Sequence, residues 1–401
     1  MKFLVLVQDL RVVGSSAGVG RRSFLAKLRK AYPNAEIDVQ YFILKDTEDH
    51  LDLLPVNNIV KNIVNTKRPG YITFLNRFYW RLLHESLNER YVQNQYAKII
   101  ANINYEKYDH ILVTSSGLEH ETILATHNLP ILRKAILVFH DPYPLAWYVG
   151  YNKKPSKLDL FRLKRMIEVV NQAKTCATTA NYMSHDLQNL YASKKKFYTL
   201  PHQFDVSVFN LSDTEQVVKK SKKISISYSG ALMFGRNPEN MLQAYGSLLS
   251  DNSNYKEQTE FVLRVKGDGA KQLMDKYKDH ENIKIYDTLD FSNSYNEQVY
   301  ERDILVILEN GPVYCNILVG KASFIASCNK PVLCISPEKS ELRSVISDKK
   351  YVANMNDVSE IKSKLKELID ARLKSNEPVY PFGNYFSDKN FKLMLDSILY
   401  D

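Results

Sequence analysis

The chain has 401 residues, with 54 Lys and Arg against 45 Asp and Glu, a net charge of +9, and 44% hydrophobic and 25% charged residues. That length exceeds one typical domain, and the balance is that of a globular protein, which excludes a disordered, collagen-like or repeat architecture. No apolar run approaches the ~18 residues of a membrane span, and the short, scattered basic clusters carry no nucleic-acid-binding motif. The positive excess reads as a generally basic surface, or as attraction to a membrane leaflet or a diphosphate.

Met1 to Asp9 begins with one positive charge and a short apolar run that ends in an acid, so it is expected to be a buried strand, since a signal peptide needs a longer apolar region. A soluble cytoplasmic protein follows as the expectation, with contact at the inner membrane leaflet left open. Cys176, Cys315, Cys328 and Cys334 form no CxxC pair and are expected as free thiols. The nine histidines form no spaced ligand cluster, and no Asp-x-Asp motif follows a strand, so no metal is expected.

Short β-branched runs alternate with amphipathic stretches, which predicts βα units and parallel sheets. The first half offers strands at Phe3 to Val7, Ile37 to Leu44, His110 to Thr114, Ala135 to Phe139, Thr175 to Thr179 and Lys196 to Leu200. Helical patterns cover Val19 to Ala31, Leu82 to Asn102, Leu158 to Ala173 and Tyr182 to Tyr191. Between them, Val56 to Leu83 interleaves Lys61, Lys67, Arg68, Arg77 and Arg81 with Tyr71, Phe74, Phe78, Tyr79 and Trp80. Such a stretch suits a lipid-headgroup surface or a sugar platform, or equally an inserted helical pair with its aromatics packed inward.

A second set of units begins after the lysine-rich segment Ser212 to Lys223. Its strands are expected at Ile224 to Tyr228, Glu260 to Lys266, Ile283 to Tyr286, Ile304 to Leu308, Pro331 to Ile335 and Tyr351 to Ala353. Helices are expected at Pro238 to Ser250, Gly269 to Tyr277, Val319 to Ser327 and Val358 to Leu373. The fold class is thus α/β with two Rossmann-like doubly wound domains: residues 1–210, joined by a returning segment 382–401, and residues 211–381. Ligands in open sheets of this kind sit beyond the carboxyl ends of the strands, which places the expected active site in an interdomain cleft.

Five motifs carry the chemistry. Gly14 to Gly20 is read as a loop before a helix starting near Arg21, where glycines such as Gly18 let backbone approach a phosphate or merely turn the chain. His140 and Asp141 follow the apolar strand ending at Phe139, the position for catalytic groups in such a sheet. Ser227 to Asn240 contains Gly230, Gly235 and Arg236, and a guanidinium there can take two phosphate oxygens at once. Gly267-Asp268-Gly269 closes a strand, a tight turn by itself. Gly320-Lys321 opens an apolar helix, and a lysine at that first turn opposes the helix dipole, a placement an anionic ligand would relieve.

In order, these motifs resemble the retaining GT-B glycosyltransferases that build bacterial surface polysaccharides, a likeness covering nearly the whole chain. Ala180 to Leu187 with Thr199-Leu200-Pro201-His202-Gln203-Phe204-Asp205 looks like that family's passage before its linker. Tyr228-Ser229-Gly230 with Gly235-Arg236-Asn237-Pro238, Val265 to Gly269, and Gly320-Lys321 through Lys330-Pro331-Val332 look like its donor-domain motifs. The resemblance implies a nucleoside-diphosphate sugar as co-substrate rather than a cofactor, and a glycan or lipid-linked glycan as acceptor. It implies that Gly18, Gly230, Arg236, Gly267, Glu309 and Lys321 serve the donor, and that His140 and Asp141 serve catalysis. Many relatives carry two glutamates eight positions apart, where this chain has Asn316 and Phe324, with Glu309 as a partial substitute. A nucleotide-sugar epimerase and a non-catalytic partner of another transferase are the alternative functions.

Overall fold

The computed structural model describes residues 1–12, 16–47, 49–144, 154–233, 235–267, 269–311 and 313–400. They form two compact units, one from residues 1–144, 154–208 and 387–400, the other from residues 209–386.

The first unit holds a seven-stranded sheet: β1 (Lys2–Val7), β2 (Glu36–Ile43), β3 (Asn58–Ile63), β4 (His110–Thr114), β5 (Ala135–Phe139), β6 (Thr175–Thr178) and β7 (Phe197–Thr199). Its spatial order is β3-β2-β1-β4-β5-β6-β7 with every pair parallel. Helices cover both faces of such a sheet, so its central strands are apolar throughout rather than alternating. All five residues of β4 and of β5 are buried. The strand at the edge, β3, keeps exposed positions along Asn-Ile-Val-Lys-Asn-Ile, and that mixed composition is why the sequence pattern passed over it.

The helix Asp388–Tyr400 belongs to this unit. It buries Phe391, Leu395, Ile398 and Leu399 at helical spacing, with Phe391 edge-on to Phe24 at 5.9 Å. Tyr32 donates to Asp396, and Lys27 pairs with Asp388. Arg22, fully buried, ties the unit internally by donating to the carbonyls of Val208, Leu10, Asp49 and His50 at 2.6–3.2 Å. Burial lowers its pKa, against the opposing charges of Asp49 and Asp52.

Residues 56–83 are β3 and the helix Gly70–Leu83, which has no buried residue. The expected helix Leu82 to Asn102 is instead interrupted: Gly70–Leu83 ends at His84 in the left-handed region, and Ser86 caps a new helix, Leu87–Ala101, by accepting from the Glu89 N–H at 3.2 Å.

The second unit holds β8 (Ile224–Leu232), β9 (Thr259–Gly267), β10 (Ile283–Asp287), β11 (Ile304–Leu308), β13 (Val332–Ser336) and β15 (Val352–Asn354), in the order β10-β9-β8-β11-β13-β15, again all parallel. A small pair, β12 (Tyr314–Cys315) and β14 (Lys339–Ser340), stands apart. The lysine-rich segment 212–223 lies on this unit: the N–H groups of Gln216, Val218, Lys220 and Ser221 donate to Asn293, Glu297, Glu301 and Glu260. Beneath it Arg264 and Arg302 share the buried Glu297. Cys176, Cys315, Cys328 and Cys334 are free thiols. No helix among the described residues is long and apolar enough to cross a membrane.

Candidate functional site

In each sheet the strand order reverses between its first and fourth strands, and the carboxyl ends flanking that reversal are where open α/β sheets take ligands. In the second unit these are the ends of β8 and β11. β8 runs four residues further than its apolar pattern predicts, so Gly230 stands inside the strand rather than in a loop. A Cβ at Gly230 would lie 2.6 Å from Lys321 Nζ and 3.0 Å from the Tyr228 hydroxyl, so glycine makes room for the ammonium. Lys321 is the first residue of the helix Lys321–Ser327. Its Nζ donates to the Ser229 carbonyl and sits 4.6 Å from the Tyr228 ring centroid. Burial, followed by the charge of Arg236, brings its pKa down to about 7.

Arg236 extends from the turn after β8, donates to the Ala231 carbonyl at 3.3 Å, and leaves its buried Nε without a partner. Gly235, at φ +79°, lets that turn approach Gly311 in the loop after β11, 3.6 Å from its would-be Cβ. Glu309, the residue after β11, is fully buried, and neither carboxyl oxygen makes a hydrogen bond of good geometry. Burial pushes its pKa up to about 8, against the opposing pull of the Ser340 hydroxyl and the Leu342 N–H. Asn310 Oδ1 is likewise buried and unpaired at this edge, and the Tyr228 hydroxyl, inside β8, has the Arg236 side chain beside it without a hydrogen bond of good geometry. Most buried polar groups in folded proteins are satisfied, so such a concentration makes this edge the candidate site of the second unit.

Gly267 has a packing reason of its own. It sits at φ +99°, and a Cβ there would be 3.0 Å from the Leu232 carbonyl, so glycine is required by the packing of β9 on β8. Asp268 lies outside the described residues. Asn316 is buried, and Phe324 packs its ring 5.7 Å from that of Tyr295, so no carboxylate stands at either position.

In the first unit His140 and Asp141 follow β5, at the carboxyl edge of the sheet and one strand beyond its β1–β4 reversal. The His140 N–H donates to Ser115 Oγ at 2.8 Å and its carbonyl accepts from Thr179 Oγ1 at 3.0 Å, which fixes the backbone from both sides. His140 Nδ1 lies 3.3 Å from Asp141 Oδ2, and its buried Nε2 is unpaired. Burial raises the Asp141 pKa, but the His140, His120 and Arg21 charges outweigh it and hold the carboxylate below its ordinary value.

Two residues missed by sequence reasoning complete this cluster. His202 lies against His140 with ring centroids 4.2 Å apart and planes tilted by 48°, and burial drives its pKa well down. Arg21 is buried with Nε and Nη2 unpaired, its pKa lowered by burial to about 10. In the sequence Arg21 looks like half of a basic pair. Its place just after a glycine-rich stretch that follows β1 was the available signal. That stretch also departs from expectation. The helix begins at Ser16, so Gly18 and Gly20 are helical. A Cβ on Gly18 would lie 1.9 Å from the Arg11 carbonyl, and one on Gly20 would lie 3.4 Å from His202 Nδ1. These glycines admit the chain's own neighbours, and Gly14 is outside the described residues. Among the described residues no group of three or more His, Cys, Asp or Glu could hold a metal ion.

No family model matches the sequence, and no curated protein matches it in sequence. Solved structures do match in fold. The N-terminal domain of Candida albicans trehalose-6-phosphate phosphatase aligns with a TM-score of 0.64 at 14% identity, covering 99% of this chain and 96% of that one. A TarM variant from S. aureus, in complex with fondaparinux, alpha-GlcNAc-glycerol and UDP, aligns at 0.61 with 8% identity over both full lengths. UDP-GlcNAc 2-epimerase from Neisseria meningitidis, bound to UDP-GlcNAc, aligns at 0.53 with 12% identity, also over both full lengths. The fold is therefore the two-sheet α/β fold of the GT-B glycosyltransferases, which nucleotide-sugar epimerases share.

Proposed function

We propose that the chain transfers a sugar from a nucleoside-diphosphate sugar to a glycan or lipid-linked glycan, with retention and without a metal, in surface polysaccharide synthesis. One observation carries this reading: Arg236 and Lys321 meet at the strand reversal of the second sheet, among buried polar atoms that have no partner. Both are assigned to the donor diphosphate. As the bond from the anomeric carbon to the diphosphate oxygen breaks, the electron pair stays on that oxygen, and two cations offset the charge. Glu309, protonated at neutral pH on the pKa given above, can donate a hydrogen bond to a donor hydroxyl without repelling the diphosphate.

The first unit is assigned the sugar and the acceptor. The free Nε2 of His140 can bond a sugar hydroxyl or the attacking acceptor hydroxyl, with Asp141 orienting the ring. TarM and the Rickettsia africae glycosyltransferase share the fold. A peripheral position at the inner membrane leaflet would suit a lipid-linked acceptor.

The test is a thermal-shift screen of nucleotide sugars followed by product analysis, since a ligand that binds only the native state raises the melting temperature. A donor that stabilises the chain and yields free nucleoside diphosphate with a glycosylated acceptor supports the reading. The epimerase likeness gives a second reading, and conversion of the sugar with no nucleotide release would select it. Donor binding with neither outcome would leave a non-catalytic partner.

A further inference from the structure

The helix Gly70–Leu83 lies on the first unit with its inner side fixed. Asn76 Oδ1 accepts from the Asn88 N–H at 3.1 Å, and Trp80 meets Phe161 edge-on at 6.5 Å. Its outer side is apolar and open: Tyr71 is 63% exposed, Phe74 57%, Phe78 52% and Leu82 75%. Soluble surfaces rarely leave so much contiguous apolar area uncovered. Ion pairing adds an independent observation. Residues 65–83 contain Lys67, Arg68, Arg77 and Arg81 and no acid, and none of the four forms an ion pair among the described residues.

At the end of the helix, Leu83, Leu160 and Phe161 line a cavity of about 400 Å³ together with Lys157 and Lys164. The acids at its rim are spoken for, Glu85 by Arg90 and Glu168 by Arg165. The two lysines therefore face an apolar hollow without carboxylate partners. Aromatic and leucine side chains flanked by unneutralised cations match the boundary between acyl chains and anionic headgroups.

We infer that the helix Gly70–Leu83 docks on an anionic phospholipid surface, inserting Phe74, Phe78 and Leu82 while Arg77, Arg81, Lys157 and Lys164 contact headgroup phosphates. This deepens the reading of a lipid-linked acceptor, yet vesicle binding is measured without nucleotide sugar, so either can fail alone. The probe is the full chain with vesicles of 30% phosphatidylglycerol in phosphatidylcholine, compared with phosphatidylcholine alone, in a sedimentation assay. The chain should sediment with the anionic vesicles only. Phe74→Ser with Phe78→Ser should weaken binding at least tenfold with an unchanged melting temperature. Arg77→Gln with Arg81→Gln should weaken it by about fivefold per charge. No binding to anionic vesicles, or equal binding by both variants, overturns the inference. So does a wild-type dimer that the Phe74→Ser, Phe78→Ser variant converts to monomer with no vesicle binding, because the face would then belong to a second copy.

Discussion

The two units repeat one sheet plan, and each leaves buried polar groups without partners beyond the carboxyl ends of its strands, but the groups differ in kind. In the second unit the ends of β8 and β11 bring together Arg236, Lys321 and a carboxyl group that burial keeps protonated to about pH 8. In the first unit His140, His202 and Asp141 come together beside Arg21, and only one of those four is a fixed cation. A pair of cations beside a neutral acid suits an anion that must be bound. Two imidazoles in contact, one with a free ring nitrogen, suit hydroxyl groups that must be aligned or deprotonated. The same scaffold can divide binding from chemistry because loops after parallel strands vary without disturbing the sheet.

Breaking the first unit should cost most. His140→Ala is expected to lower turnover by on the order of a hundredfold or more, the scale of a positioned acid–base group. Nucleoside diphosphate affinity should stay within about twofold, since a group used in the transition state leaves ground-state binding intact. Steady-state kinetics with the identified donor and acceptor decide it, and near-normal turnover would make His140 structural. In the second unit, Arg236→Ala and Lys321→Ala should each weaken diphosphate binding at least tenfold, because hydrogen bonds to charged groups contribute roughly 1.5–3 kcal/mol. Unchanged calorimetric affinity in both variants would remove the assignment.

The pKa values sharpen the comparison further. With Lys321 brought down to about 7 by burial, its side chain is mostly neutral at pH 8, and a bound diphosphate should restore its proton. Titrations at pH 8 in buffers of different ionisation enthalpy should show net proton uptake, and affinity should fall as pH rises above about 7. Zero uptake would show that the lysine does not meet the anion.

The smallest effect belongs to Glu309. Its folded pKa, about 8 from an ordinary 4.5, means the folded chain holds a proton that the unfolded chain releases between those values. Its contribution to stability is therefore complete below about pH 4.5 and is lost as pH rises to about 8. Glu309→Gln, which resembles the protonated acid, should leave nucleotide affinity within about twofold at pH 7. It should also melt progressively higher than the wild type from pH 5 to pH 9. Loss of binding at pH 7 would show that the carboxylate charge is used.

What the sequence made legible follows from where each signal is stored. Central strands such as β4, β5 and β11 are buried on both faces, so their continuous apolar runs locate them closely. The edge strand β3 and the Ser16 helix start carry no such run and escaped. Arg236 and Lys321 stand out because each occupies a loop-to-helix junction, a local feature. The contact of His202 with His140 joins residues 62 positions apart, so only the fold, which brings the segments after β5 and β7 together, reveals it. The glycines at 18 and 267 were visible, but whether a glycine admits a ligand or the chain's own backbone depends on neighbours the sequence does not place.

The assignment of the donor to the second unit is the central claim, and one calorimetric comparison tests it most directly. A panel of nucleoside diphosphates is titrated into the wild type, into His140→Ala, and into the Arg236→Ala, Lys321→Ala double variant. At least one diphosphate should bind the wild type saturably, bind His140→Ala within about twofold of that affinity, and bind the double variant at least tenfold more weakly. Binding that survives in the double variant, or that falls as far in His140→Ala, would contradict it.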